Sequence, residues 1–299
     1  MAGHGLGVII PLSILAVAIV ILNIAVCVFV CINKALRTHT NGFIVSLAIS
    51  DVLVGGILFP LYMCNPTAEA TGYLVSVILL SGVANLLAVT YDRYIAIVTP
   101  LGYLYKISKY FKRIVFTSWA LPIAYSLLPL IWRTNIYSKE HKVYLLILQL
   151  FGVVVPFLLI VFAYCRIFYT VRKSLKLRKR LPLTTMNNTR GEQRRVSTDA
   201  RVAKVFAVVS VTFLLSWLPV IYITTADLIG RPDLIPLVLA DISFFTIALS
   251  SLLDPLVYSF LKPDFRRAIL AIWRGRSEQQ SERVGCHSEV VTMTPLRRL

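Results

Sequence analysis

GLGVIIPLSILAVAIVILNIAVCVFVCIN, residues 5–33, holds no charged side chain. A helix needs about 20 apolar residues to cross bilayer hydrocarbon, so this run is long enough to span. The same pattern returns, free of charge, at 70–91, 114–132, 143–165 and 205–226. It returns again at 43–66 and 242–261 with one acid in each, Asp51 and Asp254. Seven spans result. Hydrocarbon offers backbone amides no partner, so such runs must close their hydrogen bonds internally as helices, and they are too long for barrel strands. Composition agrees, since 57% apolar and 15% charged residues would be out of place in a water-soluble domain of this length. The first run is too long for a signal-peptide core and no small-residue cleavage site follows it, so it reads as a retained helix.

The formal net charge of +17 raises nucleic acid as a partner, and the placement of the charge rejects it. Of the 31 Lys and Arg residues, 27 fall in 34–42, 93–113, 166–204 and 262–298, on one side of the bundle. Only Arg133, Lys139, Lys142 and Arg231 fall on the other. This is the positive-inside asymmetry of a membrane protein, which puts the carboxyl terminus in the cytoplasm and the amino terminus outside. A multi-pass plasma-membrane protein is expected. Its outer amino terminus is very short and leaves no extracellular domain to capture a large hormone. Of the five cysteines only Cys64 lies near the outer face, so no extracellular disulfide forms within one chain.

Short outer connections near 66–72, 133–142 and 227–235 force neighbouring helices antiparallel in one all-α bundle. The expected receptacle is a single seven-transmembrane domain over 1–273, with spans at about 7–33, 43–66, 70–97, 112–132, 143–173, 199–227 and 235–260. Residues 262–273 carry apolar side chains at helical spacing and read as an amphipathic helix on the inner leaflet. The basic connection near 174–198 lacks an apolar stripe and reads as a linker between extended helices, and 274–299 reads as a disordered cytoplasmic tail.

An ionisable residue inside a span is costly and needs a reason. Asp51 in the middle of the second span, Asp254 low in the seventh and Asp92-Arg93 at the end of the third fit that description. One buried acid can simply be held by helix-to-helix hydrogen bonds; several, in several spans, are harder to explain that way. Further motifs accompany them. Asn23 lies in the first span, Leu47-Ala48-Ile49-Ser50-Asp51 in the second, Asp92-Arg93-Tyr94 in the third and Trp119 in the fourth. Pro156 and Tyr164 lie in the fifth, Phe213 with Trp217-Leu218-Pro219 in the sixth, and Asp254-Pro255-Leu256-Val257-Tyr258 in the seventh. Each is weak alone. In this order, one set per span, they resemble the rhodopsin-like (class A) G-protein-coupled receptors from about residue 15 to 270.

The resemblance implies roles. Arg93 would pair with Asp92 and, as an ionic latch, with Asp199 at the foot of the sixth helix; a solvated Asp199 that balances Arg195, Arg201 and Lys204 is the competing reading. Tyr94 belongs to the same coupling motif. Tyr164 and Tyr258 would meet Arg93 through water once the bundle opens, unless they are ordinary interface tyrosines. Pro219 lacks a backbone donor and should kink the sixth helix into a hinge, with Pro255 in the corresponding place in the seventh. Trp217, with Phe213 one turn deeper, would bias that hinge by packing against Pro156 and Val83; plain core packing is the alternative. Asn23, Asp51, Ser250, Ser251 and Asp254 resemble the family's polar core, where sodium binds at the position of Asp51. Gly82 stands where many members place a serine ligand, and Ser250 and Asp254 each replace a usual asparagine. Two facing carboxylates repel, so either a cation sits between them or one holds a proton. The implied partners are a heterotrimeric G protein, arrestin and receptor kinases, with Ser277, Ser281, Ser288, Thr292 and Thr294 as candidate kinase targets. No catalytic residues and no enzyme activity are expected.

Departures from the family pattern narrow the ligand. Most relatives tie the third helix to the second outer loop by a disulfide, but Ala68 holds the expected position and 133–142 has no cysteine. Amine-binding members carry an acid where this chain has Val75. No lysine occurs between Asp233 and Leu261, so a retinal Schiff base has no amine to form on. The expected cavity lining is Val75, Ser76 and Leu79 from the third span, Trp217, Val220, Ile221 and Thr224 from the sixth, and Phe244 and Ile247 from the seventh. That lining suits a neutral or lipid-like small ligand. Ligand-independent signalling is the alternative, and a seven-helix transporter or channel is disfavoured by the absence of internal repeats.

Overall fold

The computed structural model describes residues 6–64, 69–131, 139–178 and 202–271. Among the described residues, seven helices are long and apolar enough to cross a membrane: α1 (Leu6–Ile32), α2 (His39–Cys64), α3 (Glu69–Val98), α4 (Tyr103–Ile131), α5 (Lys139–Lys176), α6 (Val202–Leu228) and α7 (Leu237–Leu261). Residues 263–271 form a further short helix, α8, and no strand occurs among the described residues. α1 packs against α2 and α7, α3 touches α2, α4 and α5, and α6 meets α5 and α7. The result is an all-α ring with α3 at its centre.

α1 explains why these helices need lipid. Leu12, Ala16, Ile19, Asn23, Val26 and Val30 recur at steps of three and four and are buried; Ile10, Ile14, Val17, Ile21, Ile24 and Val28 follow the same steps on the opposite face and are exposed. Both faces are apolar, so no side of the helix is suited to water. Polar Asn23 distinguishes the inward face. Lipid tails are as apolar as leucine, so the helices associate through close packing and internal hydrogen bonds instead of hydrophobic exclusion.

Close packing appears at two π-helical turns, Val54–Leu58 in α2 and Leu150–Val154 in α5. Each lies just ahead of a proline, Pro60 and Pro156, which cannot donate to the carbonyl four residues back, so the helix widens there. Gly55 and Gly152 sit in these turns against neighbouring helices. A Cβ at Gly55 would lie 2.7 Å from the Ala16 carbonyl oxygen, and one at Gly152 would lie 3.0 Å from Leu80 Cδ2.

α6 is interrupted at Trp217, with helix over 202–216 before it and Leu218–Leu228 after it. Pro219 has no N–H for the Leu215 carbonyl, and the ladder resumes only where Ile221 N donates to Trp217 O at 2.9 Å. Thr246 Oγ1 of α7 donates to the Ser216 carbonyl at 3.0 Å, so the break is braced from the next helix. Pro255, by contrast, lies within an unbroken α7. At the start of α4, Gly102 has φ of 83°, a left-handed conformation that glycine adopts without a Cβ penalty.

Candidate functional site

Functional side chains lie in three levels along the bundle axis. At the end where α3 finishes, Asp92 and Arg93 are 1% and 9% exposed. Arg93 Nε donates to Asp92 Oδ2 at 2.9 Å, while Nη2 donates to the same oxygen and to Thr40 Oγ1 of α2. Thr40 Oγ1 donates to Asp92 Oδ2 at 3.0 Å, and Tyr103 of α4 donates to Asp92 Oδ1 at 2.8 Å. One carboxylate therefore accepts from three helices and cancels the guanidinium charge where water is scarce. The guanidinium also lies 5.2 Å from the ring centroid of Phe206 on α6. Thus α6 rests on Arg93 through an aromatic face. Asp199 lies outside the described residues, as does the side chain of Tyr258. Tyr94 is half-buried on the α4 and α5 side of α3. Tyr164 is buried beside Ser210 and Thr90, and its hydroxyl lacks a well-aligned hydrogen bond.

Lys262, between α7 and α8, reaches the same region. It is 2% exposed, donates to Asn41 Oδ1 of α2 and lies 5.3 Å from the Phe265 ring centroid. Asn41 Nδ2 donates in turn to the Leu36 carbonyl at 2.7 Å. Burial pushes the Lys262 ammonium down to about 7, with Arg93 adding to the shift and Asp264 and Asp92 opposing it.

Halfway along the axis, Asn23 Nδ2 donates to Ile19 O at 3.0 Å and to Ser251 O at 3.1 Å, joining α1 to α7. Asp51 of α2 lies beside the Ser251 hydroxyl and near enough to Asp254 of α7 for its charge to be felt there. Asp51 Oδ2, Ser250 Oγ and both carboxylate oxygens of Asp254 are buried with no hydrogen-bond partner. Orphaned buried oxygens are costly, and hard cations take oxygen ligands. These residues therefore fit a sodium ion. Gly82 lies close to Phe213, whose ring a Cβ there would meet at 3.7 Å. One polar cluster was missed by sequence reasoning: Ser46 and Ser118 donate to Asn85 Oδ1 at 2.6 and 3.1 Å, and Trp119 Nε1 donates to Ser46 Oγ at 3.0 Å. It binds α2, α3 and α4 into one unit.

At the far end, a cavity of about 240 Å³ opens between α3, α5 and α6. Val75, Ser76 and Leu79 line it from α3, and Trp217, Val220, Ile221 and Thr224 from α6. Phe244 and Ile247 do not line it. Phe244 packs on Tyr62 and meets Phe59 edge to face instead, and Ile247 is buried in the core shared by α1, α2 and α7. The α5 wall, Leu145, Leu148, Gln149 and Val153, was not anticipated, because 143–165 is apolar almost throughout and does not mark an inward face. Gln149 Nε2 donates to Thr225 Oγ1 at 2.7 Å and bridges α5 to α6. Below the cavity, Trp217, Phe213 and Phe157 form a triangle of rings with centroids 5.9 to 6.4 Å apart. Phe157, the residue after Pro156, completes this triangle, and buried Val83 belongs to the same core.

Fold and site together define a multi-pass helical membrane protein in which one interrupted helix links a cavity at one end to a buried ion pair at the other. The chain matches the model of the 7 transmembrane receptor (rhodopsin family) over residues 22–258. It is 30% identical over 304 aligned positions to adenosine receptor A2a of Homo sapiens, with 90% of this chain and 72% of that receptor covered. It is 24% identical to melanopsin of Mus musculus, with 87% and 56% covered, and 24% identical to melanopsin-A of Gadus morhua, with 79% and 47% covered. The chain belongs to the rhodopsin family of seven-transmembrane receptors.

Proposed function

We propose that this receptor takes up a small neutral or lipid-like ligand from outside the cell in the cavity at Trp217 and passes the event through α6 to a heterotrimeric G protein at Arg93. The observation that carries this reading is the continuity of α6. Trp217 walls the cavity and marks the helix break, and Phe206 on the same helix lies over the Arg93 guanidinium. A ligand that displaces Trp217 shifts the two halves of α6 relative to each other and lifts Phe206 from Arg93. Such a ligand acts only by binding the open arrangement better than the closed one. The side with 27 of the 31 basic residues would face the cytoplasm. A lining that is apolar apart from a few hydroxyl and amide groups and exposed Asp227 supports a ligand without charge, and 240 Å³ is below the roughly 300–1,000 Å³ typical of ligand pockets, which supports a small one. The adenosine receptor relative makes nucleosides a necessary comparison in any screen. A retinal-type Schiff base is not supported, because the seventh helix has no lysine.

In the same reading Asp51, Ser250 and Asp254 hold a sodium ion that supplies positive charge between the two carboxylates. Arrestin and receptor kinases would act on the same cytoplasmic side. The test is a library of neutral lipids, nucleosides and small apolar molecules, read by guanine-nucleotide exchange on a panel of G proteins. An active compound should lose its effect when Val220→Trp fills the cavity, and every response should vanish with Arg93→Ala. If exchange survives Arg93→Ala, or if ion or substrate flux appears without exchange, the proposal fails.

A further inference from the structure

A cavity of about 510 Å³ is a groove on the outside of the bundle between α3, α4 and α5. Three small side chains, Ala84 and Ala88 of α3 and Ala163 of α5, form its hollow, and Tyr91, Leu121 and Phe162 form exposed walls. These residues belong to membrane-spanning helices, so the groove opens onto bilayer hydrocarbon.

The rim toward the Arg93 end supplies the second observation. Arg113 precedes Thr117 by four residues on α4, and Arg166 follows Phe162 by four on α5. Each therefore shares a helix face with a groove residue, one turn further toward that end. Both arginines are exposed, and among the described residues neither has an acidic partner. Two unneutralised guanidiniums at the mouth of an apolar groove complement a ligand with a long apolar part and an anionic head.

We propose that this groove is a binding site for an anionic glycerophospholipid, with one acyl chain between α3, α4 and α5 and the phosphate at Arg113 and Arg166. Guanidinium groups recognise phosphate in a bidentate manner. Anionic lipids are concentrated in the cytoplasmic leaflet, so occupancy in the cell rests on the orientation proposed above. Binding itself depends on neither orientation nor G-protein coupling. Tyr94 lines the groove one residue from Arg93, so a lipid seated there contacts α3 directly behind the buried ion pair.

The test uses purified full-length receptor in detergent, titrated with phosphatidylglycerol or phosphatidylcholine and followed by native mass spectrometry. Phosphatidylglycerol should be retained more strongly. Arg113→Gln or Arg166→Gln should each weaken its retention about fivefold, and the pair together about thirtyfold. Lys34→Gln, on the distant connection between α1 and α2, should leave retention unchanged. Ala88→Leu should lower retention of both lipids by filling the hollow, and the two Gln variants, being surface changes, keep the test valid if Ala88→Leu fails to fold. Equal retention of the two lipids, no loss in the double Gln variant, a sterol that outcompetes phosphatidylglycerol, or a dimer that Ala88→Leu dissolves would each overturn the proposal. A receptor that retains the lipid in this pattern but activates no G protein supports this site while refuting the signalling role.

Discussion

Asp92→Asn removes one negative charge from the buried site of Arg93 with almost no change in volume. In the closed arrangement Asp92 accepts from Arg93, Thr40 and Tyr103, so the substitution leaves a guanidinium buried without its counter-charge. Removing one partner of a buried ion pair costs about 3–5 kcal/mol. The Thr40 hydroxyl and the new amide oxygen still accept from Arg93, so the lower figure, about 3 kcal/mol, applies. In the proposed scheme the penalty falls on the closed arrangement alone, because lifting Phe206 exposes Arg93 to water. A shift of about 3 kcal/mol is a factor on the order of 10², enough to carry a receptor that is about 1% open without ligand to roughly half open. The assay is ligand-free guanine-nucleotide exchange on membranes, normalised to receptor number. Basal exchange should rise tens-fold, with a smaller rise for Thr40→Val. Basal exchange equal to the unmodified receptor at matched receptor number would refute the idea that this ion pair holds the closed state.

Gly55→Ala should destabilise the protein by about 1–3 kcal/mol through overpacking, because the new methyl would sit 2.7 Å from the Ala16 carbonyl oxygen; Gly56→Ala, with Val20 Cγ2 at 3.6 Å, should be near neutral in thermal unfolding, and equal behaviour of the two would contradict the packing of α1 on α2. Lys262 has a folded pKa of about 7 against an ordinary 10.5, so the folded state binds fewer protons than the unfolded state between those values. Its burial penalty is therefore full below about pH 7 and is relieved by about 1.4 kcal/mol per pH unit as pH rises toward 10.5. The unfolding temperature should climb over pH 7–9.5, and Lys262→Met should remove that slope; a slope unchanged in the variant would count against a buried ammonium. Thr246→Val should cost about 1 kcal/mol by removing the donor to the Ser216 carbonyl at the α6 break, detected as a lower unfolding temperature, and no change would mean that the brace is idle.

The spans and their antiparallel order were legible in the sequence because charge exclusion is a property of composition, and the family followed from motifs tied to fixed positions within each span. The site was legible only in part. Asp92, Arg93 and Trp217 announce themselves as charge in a membrane or as an aromatic beside a proline. Thr40, Tyr103 and Asn85 do not, since a hydroxyl or amide near a helix end is ordinary until folding brings it to a buried carboxylate or to another helix. The cavity shows the same limit. Its α3 and α6 walls follow from regular helical spacing and the motifs that anchor it, whereas α5 is apolar almost all round over 143–165, so nothing in its sequence marks Leu145, Leu148 and Gln149 as the inward side, and Phe244 leaves the cavity because Tyr62 offers a closer partner.

A wide turn holds one residue more than an α turn, and each residue of an α-helix advances the azimuth by about 100°. The five residues of Leu150–Val154 sweep about the same azimuth as four residues of an α turn, so deleting one of them would restore an ordinary ladder and leave the faces of α5 above and below it pointing as before. A residue lost from an ordinary turn of α5 would instead swing its upper part by about 100° and exchange inward chains for lipid-facing ones. Relatives that lack the extra residue are therefore to be compared with the gap placed inside this turn, or side chains that face opposite media will be paired.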